Sequence, residues 1–433
     1  MRPHDTPPQI ANLLAKHAPP NLGSLLDPAV GNGALLRPFL LQKASPVCIY
    51  CVEKDWRVGR ALQRRFHRER NVHVVRGDFL EWSSPGGSGY EKRFDCIVMN
   101  PPFAARGRSL VDLEVKVGTT PSNVAAPVEA AFILSAISLL RPGGRLLAIV
   151  PSSIVCAQST AWLRDLLVQS GAVRLVHELP SGTFEGVDTR AYAFVYDHNV
   201  SQRDLIVCNH RIEHPNRITV SVQTLTQEKR FDYSFHEALR WHTLLRKRKD
   251  LRWTAINQLA EVARGPEESP IRSPEILHST NWEGGVWQAP KKRVRKRANN
   301  TRYAERGDIL MKRVSRGCAK SLGLFRGPGL TRCSDCVLII RPRHGVNKEK
   351  LLFSMRVVMS WTKGGALIEQ GGGASYVSSS NLSEIHVPIA LADKYPVDFR
   401  DYVKALTKGD FRKVLSVEDI LRLRLTPDGN ILQ

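Results

Sequence analysis

Long apolar runs are missing from this 433-residue sequence. A run such as residues 146–150 has the length of a buried strand, whereas a membrane-spanning helix needs about 20 consecutive apolar residues. No secretory signal precedes the first motif. We therefore expect a protein that does not enter a membrane and that lies in the cytoplasm.

Spacings typical of metal sites are also missing. The eight cysteines include two Cys-x-x-Cys pairs, Cys48/Cys51 and Cys333/Cys336, but no further His or Cys stands at finger-like spacing from the second pair. Residues three apart in a strand face opposite sides, so Cys48 and Cys51 are badly placed to share a metal. The sequence predicts no metal site and cysteines that stay reduced.

Acidic residues are scarce relative to basic ones. The chain has 63 Lys and Arg against 41 Asp and Glu, a net charge of +22. Between residues 291 and 350 the counts are eighteen and four, a net charge of +14. Such a concentration predicts a polyanionic partner. The candidate phosphate-binding residues are Lys291, Lys292, Arg293, Arg295, Lys296 and Arg297. A solvated loop and a localisation-like patch are the alternatives, but ordered-looking sequence follows.

The length of the chain exceeds one ordinary core, so two domains are expected. Residues 1–240 have a βα rhythm and predict a mixed, mostly parallel sheet in a Rossmann-like α/β domain. A helical connection around residues 235–249 ends this domain, and residues 251–433 form a second one. The predicted fold class is therefore α/β followed by an α+β domain.

The most informative motif is Asn100-Pro101-Pro102-Phe103, which follows the apolar residues 96–99. It offers an amide oxygen, a carbonyl held rigid by the next proline, and an aromatic face. These groups suit a planar ligand that carries an amino nitrogen. The alternative is an ordinary strand-to-loop turn with two prolines.

Acceptor side chains follow the predicted strands before this motif. Residues 25–36 read as a strand, a Gly-x-Gly turn and the start of a helix, with Leu36 where a dinucleotide-binding fingerprint needs its third glycine. Glu53 ends the second strand, twenty residues after Gly33, and is placed to bind ribose hydroxyls. Asp78 follows the third strand. Ligands bind at this edge of open α/β sheets.

Together these motifs resemble those of the adenine-specific, S-adenosylmethionine-dependent DNA methyltransferases of restriction–modification systems. The resemblance is to the gamma arrangement, in which the target-recognition domain is C-terminal. Residues 4–8 match the N-terminal cofactor motif, residues 27–33 the glycine motif, Glu53 the ribose acid, residues 78–79 the pair at the cofactor's adenine and residues 100–103 the catalytic motif. Val30 and Asn32 replace more usual residues within the glycine motif.

The resemblance implies S-adenosylmethionine as cofactor, and it implies which residues hold it. The implied cofactor-binding residues are Thr6, Pro7, Asp27, Pro28, Ala29, Gly31, Gly33, Glu53, Asp78, Phe79 and Asn100. The implied catalytic residues are Asn100, Pro101, Pro102 and Phe103. An adenine must leave the duplex before its amino group can react. Phe103 would stack on one face of that base, and Phe184 on the other, with a core role as the alternative for Phe184.

The C-terminal half resembles target-recognition domains more loosely, through residues 307–314, 337–342 and 371–388. A generic basic α+β domain is the alternative. The implied partners are double-stranded DNA and, where it exists, a separately encoded cognate restriction endonuclease. We expect a monomer on DNA, in a prokaryotic cytoplasm and associated with the nucleoid.

Other functions fit parts of the pattern. Asn-Pro-Pro-aromatic also occurs in methyltransferases that act on protein glutamine or on guanine in RNA, and a silent DNA-binding module is a further alternative. Residues 104–127 lack clear periodicity and predict a lid or a disordered segment. Asp95, Glu114 and Lys116 resemble a nuclease pattern, but no separate domain surrounds them.

Overall fold

The computed structural model describes residues 5–41, 48–103, 110–117, 120–184, 190–265, 276–283, 285–290, 303–360, 362–371 and 375–425. The chain divides into two compact units, unit 1 over Met1–His236 and unit 2 over Glu237–Gln433. No helix in the described ranges is long and apolar enough to cross a membrane.

Unit 1 alternates strands and helices. Its first half contains α1 (Pro8–Ala15), β1 (Ser24–Asp27), α2 (Arg37–Leu40), β2 (Cys48–Glu53), α3 (Trp56–Arg65), β3 (Val72–Arg76), α4 (Phe79–Ser83), β4 (Phe94–Met99), β5 (Leu110–Val117) and β6 (Thr120–Pro127). Its second half contains α5 (Val128–Ser138), β7 (Leu140–Pro151), α6 (Ser152–Cys156), α7 (Ala161–Ser170), β8 (Gly171–Glu178), β9 (Ala191–His198), β10 (Leu205–Cys208), β11 (Arg217–Val220), α8 (Val222–Glu228) and the start of α9 (Tyr233–Arg246).

Nine of these strands form one sheet in the order β11-β10-β8-β9-β7-β4-β1-β2-β3. Strands β3, β2, β1, β4 and β7 pair in parallel, whereas β9 is antiparallel to both β7 and β8. A mostly parallel sheet needs cover on both faces. The predicted mixed α/β fold of the first domain is confirmed.

Apolar residues of the central strands alternate between the two faces of the sheet. Along β4, Ile97 and Met99 join the cluster that contains α5 residues such as Ile133, whereas Cys96 and Val98 join the cluster that contains Phe39 of α2. This alternation follows from the two-residue period of a strand. It fixes the register of β4, and with it the position of Asn100 at the end of the strand.

The segment after Asn100-Pro101-Pro102-Phe103 differs from its prediction. Strands β5 and β6 form an antiparallel hairpin that pairs Leu110 with Pro127 and Val117 with Thr120. The prediction of an irregular or disordered segment is therefore wrong over these strands, while the role of a lid stays a prediction. Val115 and Ala126 are buried, which reveals an alternation that the Gly, Ser and Thr residues obscured. Residues 104–109 and 118–119 lie outside the described residues.

Two predicted boundaries in unit 1 also differ. The glycine turn does not lead directly into a helix, because turns continue to Leu36 and only the four-residue α2 follows. Pro38 is tolerated there because it lies in the first helical turn. The Arg-Pro-Gly-Gly sequence of residues 141–144 predicts the end of a helix that begins near residue 127, but α5 ends at Ser138 and residues 141–144 belong to the long strand β7.

Unit 2 is built from short strands and helices. Its strands are β12 (Trp253–Ala255), β13 (Ala260–Arg264), β14 (Trp282–Glu283), β15 (Val286–Trp287), β16 (Tyr303–Ala304), β17 (Ile309–Lys312), β18 (Val314–Ser315), β19 (Gly323–Leu324), β20 (Thr331–Arg332), β21 (Val337–Pro342), β22 (Ser375–Tyr376) and β23 (His386–Pro388). Its helices after α9 are α10 (Ile256–Leu259), α11 (Lys348–Met359), α12 (Thr362–Gly365), α13 (Ser379–Glu384), α14 (Leu391–Lys394), α15 (Pro396–Lys408) and α16 (Phe411–Leu425).

The four-stranded sheet β13-β21-β17-β19 is antiparallel and packs into a core shared with α11 and α16. A buried ion pair lies in this core, where Arg356 donates to Glu418 and Arg422 also donates to the same carboxylate. Ala238, Trp241 and Leu245 of α9 belong to this core as well. Most of the helix predicted as a connection is therefore part of unit 2.

Candidate cofactor and methyl-transfer site

Four acceptor side chains lie along one edge of the sheet in unit 1. Asp27 ends β1, Glu53 ends β2, Asp78 follows β3 and Asn100 follows β4. Since these strands are neighbours in the order β4-β1-β2-β3 and run in parallel, their carboxyl ends meet at one edge. The structure thus brings together the predicted residues of this set.

Asp27 is buried, with a relative exposure of 1%. Its Oδ1 accepts a hydrogen bond from the backbone N–H of Ala29, whereas its Oδ2 is buried and has no hydrogen-bond partner among the residues that the structure describes. Burial raises the pKa of Asp27 to about 7; the Ala29 N–H opposes this shift, and the Glu53 carboxylate adds to it. A buried carboxylate oxygen without a donor leaves room for a cationic or N–H ligand group.

Glu53 ties the glycine turn to β2. Its Oε2 accepts from the N–H of Gly31 at 2.9 Å, and its Oε1 accepts from the N–H of Asp55 at 2.8 Å. Gly31 and Gly33 have φ angles of +53° and +81°, in the left-handed region that favours glycine. The turn therefore presents backbone rather than side chains beside Asp27, as nucleotide-binding turns do.

Asp78 caps α4 by accepting from the N–H of Leu80, and its other oxygen accepts from Lys54 Nζ at 2.7 Å. Partial burial raises the pKa of Asp78, but the Lys54 ammonium and the N–H donors of α4 outweigh burial and leave the pKa lowered. Phe79, predicted with Asp78 at the cofactor's adenine, is 2% exposed and packs 5.2 Å from the ring of Phe132. Its ring lies in the core.

Asn100 is oriented by Thr6. The Asn100 Nδ2 donates a hydrogen bond to Thr6 Oγ1 at 3.2 Å, across 94 residues of sequence. This contact uses the donor end of the amide and leaves Oδ1 as the acceptor end. Sequence motifs placed Thr6 at the cofactor but gave no signal for this contact, because it is non-local.

The aromatic candidates lie in different environments. Phe103 is half-buried and packs against the same apolar cluster that contains Phe184, which is 5% exposed. Pro101 is buried and Pro102 is exposed. The burial of Phe184 favours the core role that the sequence left open, and its role in stacking on a base stays a prediction.

The predicted phosphate-binding residues of unit 2, Lys291, Lys292, Arg293, Arg295, Lys296 and Arg297, lie outside the described residues. Within the described part of unit 2, the segments that carry the looser resemblance contain β17, β21 and β23. Strands β17 and β21 are followed by α11 and later by β23.

Residues 4–231, just over half of the chain, match the model of the N-6 DNA methylase family. The chain belongs to the N-6 DNA methylase family. This assignment confirms the predicted family and implies S-adenosylmethionine as methyl donor. The residues at the sheet edge fit that group, because the unpartnered Asp27 Oδ2 beside the glycine turn offers a buried acceptor to its ammonium.

Individual proteins resemble parts of this methylase. It is 29% identical over 184 residues to the type II methyltransferase M.TthHB8I of Thermus thermophilus, covering 40% of each chain. It is 26% identical over 171 residues to the defense against restriction protein B of Escherichia phage P1, covering 39% of this chain. The matches thus span only 40% and 7% of those two relatives. The type IIG restriction endonuclease BpuSI gives a TM-score of 0.46 at 13% identity, with 98% of this chain and 66% of that chain covered.

Proposed function

We propose that this N-6 DNA methylase transfers the methyl group of S-adenosylmethionine to the exocyclic amino nitrogen of adenine in duplex DNA. The observation that carries the proposal is the joint placement of Asp27, Glu53, Asp78 and Asn100 at neighbouring strand ends. Three carboxylates at this edge suit a ligand with many hydrogen-bond donors. The amide at the fourth strand suits an amino group that must react.

The three carboxylates would hold the cofactor, which supplies a methyl group activated by a sulfonium. Asp27 Oδ2 would pair with its ammonium, Glu53 with its ribose hydroxyls, and Asp78 with the amino group of its adenine. Lys54 now donates to Asp78 but is 80% exposed, so its ion pair is weak and easily exchanged. The backbone at Gly31 and Gly33 leaves space for the ligand.

Asn100 would activate the target base. The amino nitrogen of adenine is a poor nucleophile because its lone pair is delocalised into the ring. Hydrogen bonds donated by that amino group to Asn100 Oδ1 and to the Pro101 carbonyl would localise the lone pair. The nitrogen would take the methyl group as its bond to the sulfonium sulfur breaks, which leaves a neutral thioether, and the extra proton on the nitrogen would then pass to solvent water. Positioning of this kind supplies much of the acceleration when a reagent is already activated.

The target base would be flipped out of the duplex. Phe103 would stack on it, and base–aromatic stacking is worth about 1–3 kcal/mol per base. Phe184 would contribute a second surface only if its ring leaves the apolar cluster.

Unit 2 would read the DNA sequence. Its net positive stretch between residues 291 and 350 supports a role in phosphate contact, and its order of strands and helices supports a target-recognition domain over residues 251–433. We further propose that the protein acts as a monomer on DNA, with any cognate restriction endonuclease encoded separately.

The test is methyl transfer from labelled S-adenosylmethionine to duplex DNA, structured RNA and protein, followed by identification of the methylated base. We expect N6-methyladenine in DNA, and we expect Asn100→Ala to lower the rate by about 10²–10³-fold, as loss of one stabilising group in other active sites does. Cofactor and DNA should still bind to that variant. Label in RNA or protein alone, or near-normal turnover of Asn100→Ala, would overturn the proposal.

A further inference from the structure

One face of α3 in unit 1 carries arginines that the proposed chemistry does not use. Arg57, Arg60 and Arg64 are exposed and follow each other at spacings of three and four residues, so they lie on one side of the helix. We name these three residues the arginine stripe. It extends over about 10 Å at 1.5 Å per residue. The opposite side of the helix is buried through Gly59 and Leu62.

The positive charge of unit 1 is concentrated around this stripe. Unit 1 has 27 Lys and Arg against 21 Asp and Glu, a net charge of +6. Residues 54–76 alone have eight against two, which is also a net charge of +6. The rest of unit 1 is therefore neutral overall, and the stripe lies at its one strongly basic segment.

The stripe is not neutralised by neighbouring acids. None of its three arginines forms an ion pair with any residue that the structure describes. Other basic residues of unit 1 do, including Arg141 with Asp95 and Arg145 with Asp197. The guanidinium of Arg57 instead lies 5.6 Å from the ring of Trp56, which is 59% exposed.

The placement of the stripe opposes helix stability. Like charges three and four residues apart repel, and Arg57 lies in the first turn, where the helix dipole disfavours a cation. Asp55 offsets this in part, because it caps the helix by accepting from the N–H of Arg57 and Val58. The helix dipole stabilises arginines in the last turn of a helix, but Arg57 and Arg60 lie before that turn. An anionic partner would relieve the repulsion.

We propose that the arginine stripe binds the phosphate backbone of duplex DNA outside the methylated site. Arginine matches phosphate through paired N–H donors. Helix α3 packs on β2 and β3, so the stripe lies at the β3 end of the sheet, which β1 and β2 separate from β4 and Asn100. A duplex bound at Asn100 would contact the stripe through the base pairs that flank the methylated site. Otherwise a second segment of duplex DNA would bind to the stripe. The choice of DNA rests on the proposed function, but the binding measurement does not require methyl transfer.

The test compares the full chain with the triple variant Arg57→Gln, Arg60→Gln, Arg64→Gln. The matched control is Lys16→Gln, Arg203→Gln, Arg211→Gln, which removes the same charge from exposed positions of the same unit. Binding of a short and a long random-sequence duplex, and of RNA and single-stranded DNA of the same lengths, is measured against salt concentration. The salt dependence is the slope of log K for binding against the logarithm of the salt concentration. On the long duplex we expect the magnitude of this slope to fall by about 2–3 for the stripe variant and to stay unchanged for the control. Cofactor binding should stay unchanged, and the melting temperature should not fall, because the substitutions relieve the repulsion along α3.

Equal binding by the stripe variant and the control would overturn the proposal, as would a loss confined to RNA or to single-stranded DNA of the same length. If either triple variant fails to fold, the single reversals Arg60→Glu and Arg203→Glu replace them with the same expectation. Should the protein methylate no DNA at all, the proposed function fails, while a stripe-specific loss of duplex binding would still stand.

Discussion

In the proposed mechanism, Thr6 determines which end of the Asn100 amide faces the target base. The Thr6 hydroxyl accepts from Asn100 Nδ2, and a side-chain amide that loses this contact is free to rotate its donor end towards the site. A donor facing the amino group of adenine would repel it. The contact thus links the N-terminal motif to the proposed chemistry.

Thr6→Val tests this link, because valine keeps the shape and removes the acceptor. A hydrogen bond contributes about 0.5–1.5 kcal/mol, so we expect the methyl-transfer rate to fall by about 2–13-fold. Thr6→Ser should restore most of it. The measurement is the single-turnover rate at saturating cofactor. Equal rates for the valine variant and the unchanged protein would show that Asn100 is oriented by other contacts.

Asp27 couples stability and cofactor binding to pH in opposite directions. Burial raises the pKa of Asp27 to about 7 from an ordinary value of 3.8. The unfolded chain therefore loses this proton at lower pH than the folded chain does, and stability falls as pH rises from about 4 to about 7. The ionised carboxylate, in contrast, is the form that pairs with a cationic ligand group.

We expect Asp27→Asn to be more stable than the unchanged protein at pH 8 by an amount on the order of a few kcal/mol or less. We also expect it to lose most cofactor affinity. In the unchanged protein, affinity should rise between pH 6 and pH 8 more steeply than in this variant. Melting temperature and calorimetric titration across that range give both quantities. Unchanged cofactor binding would place the pocket elsewhere.

The glycine turn is the element that determines how closely a ligand approaches the sheet edge. Gly31→Ala should strain the turn, because φ is +53° there, at about 1–2 kcal/mol. Gly143→Ala is the matched control: its φ is +77°, and at both positions an added Cβ would meet no atom within 4 Å. Both variants should melt earlier by similar amounts. Only Gly31→Ala should bind cofactor more weakly, and an equal loss of affinity in both would contradict this.

Local patterns predicted the elements that carry the site. An apolar strand followed by Asn100, and one followed by Asp27, are visible because parallel strands buried on both faces form continuous apolar runs. The β5–β6 hairpin was missed because Thr120 and Pro121 read as loop residues, although Val111, Leu113 and Val115 alternate. Its pairing depends on a partner strand rather than on either segment alone.

Side-chain environments were harder to predict than strand ends. Phe79 and Phe184 both stand in motifs, yet both are buried in apolar clusters. A sequence does not distinguish an aromatic ring that faces a ligand from one that faces the core, since both are apolar side chains in the same kind of local pattern. The same limit applies to Lys54 on Asp78 and to Thr6 on Asn100, which only the three-dimensional fold brings together.

At the scale of the whole molecule, the proposed function assigns methyl transfer to unit 1 and DNA recognition to unit 2. Replacing Lys291, Lys292, Arg293 and Arg295 by Gln should weaken DNA binding across all sequences and flatten its salt dependence. The preference for one site should change little, because phosphate contacts position a protein while base contacts specify. Methylation patterns on random-sequence DNA measure this. A changed site preference would mean that this segment reads bases.

Among the residues that the structure describes, the apolar clusters of unit 1 contain no residue beyond Tyr233, and those of unit 2 begin at Ala238. A chain with two cores departs from two-state unfolding, so the melting temperatures compared for the variants above are those of the transition of unit 1. A ligand that binds only folded unit 1 raises one transition in a calorimetric scan in proportion to the logarithm of its concentration and leaves the other in place. Helix α9 contributes Tyr233 to the core of unit 1 and Trp241 to the core of unit 2, so the continuous backbone of this helix links the two transitions.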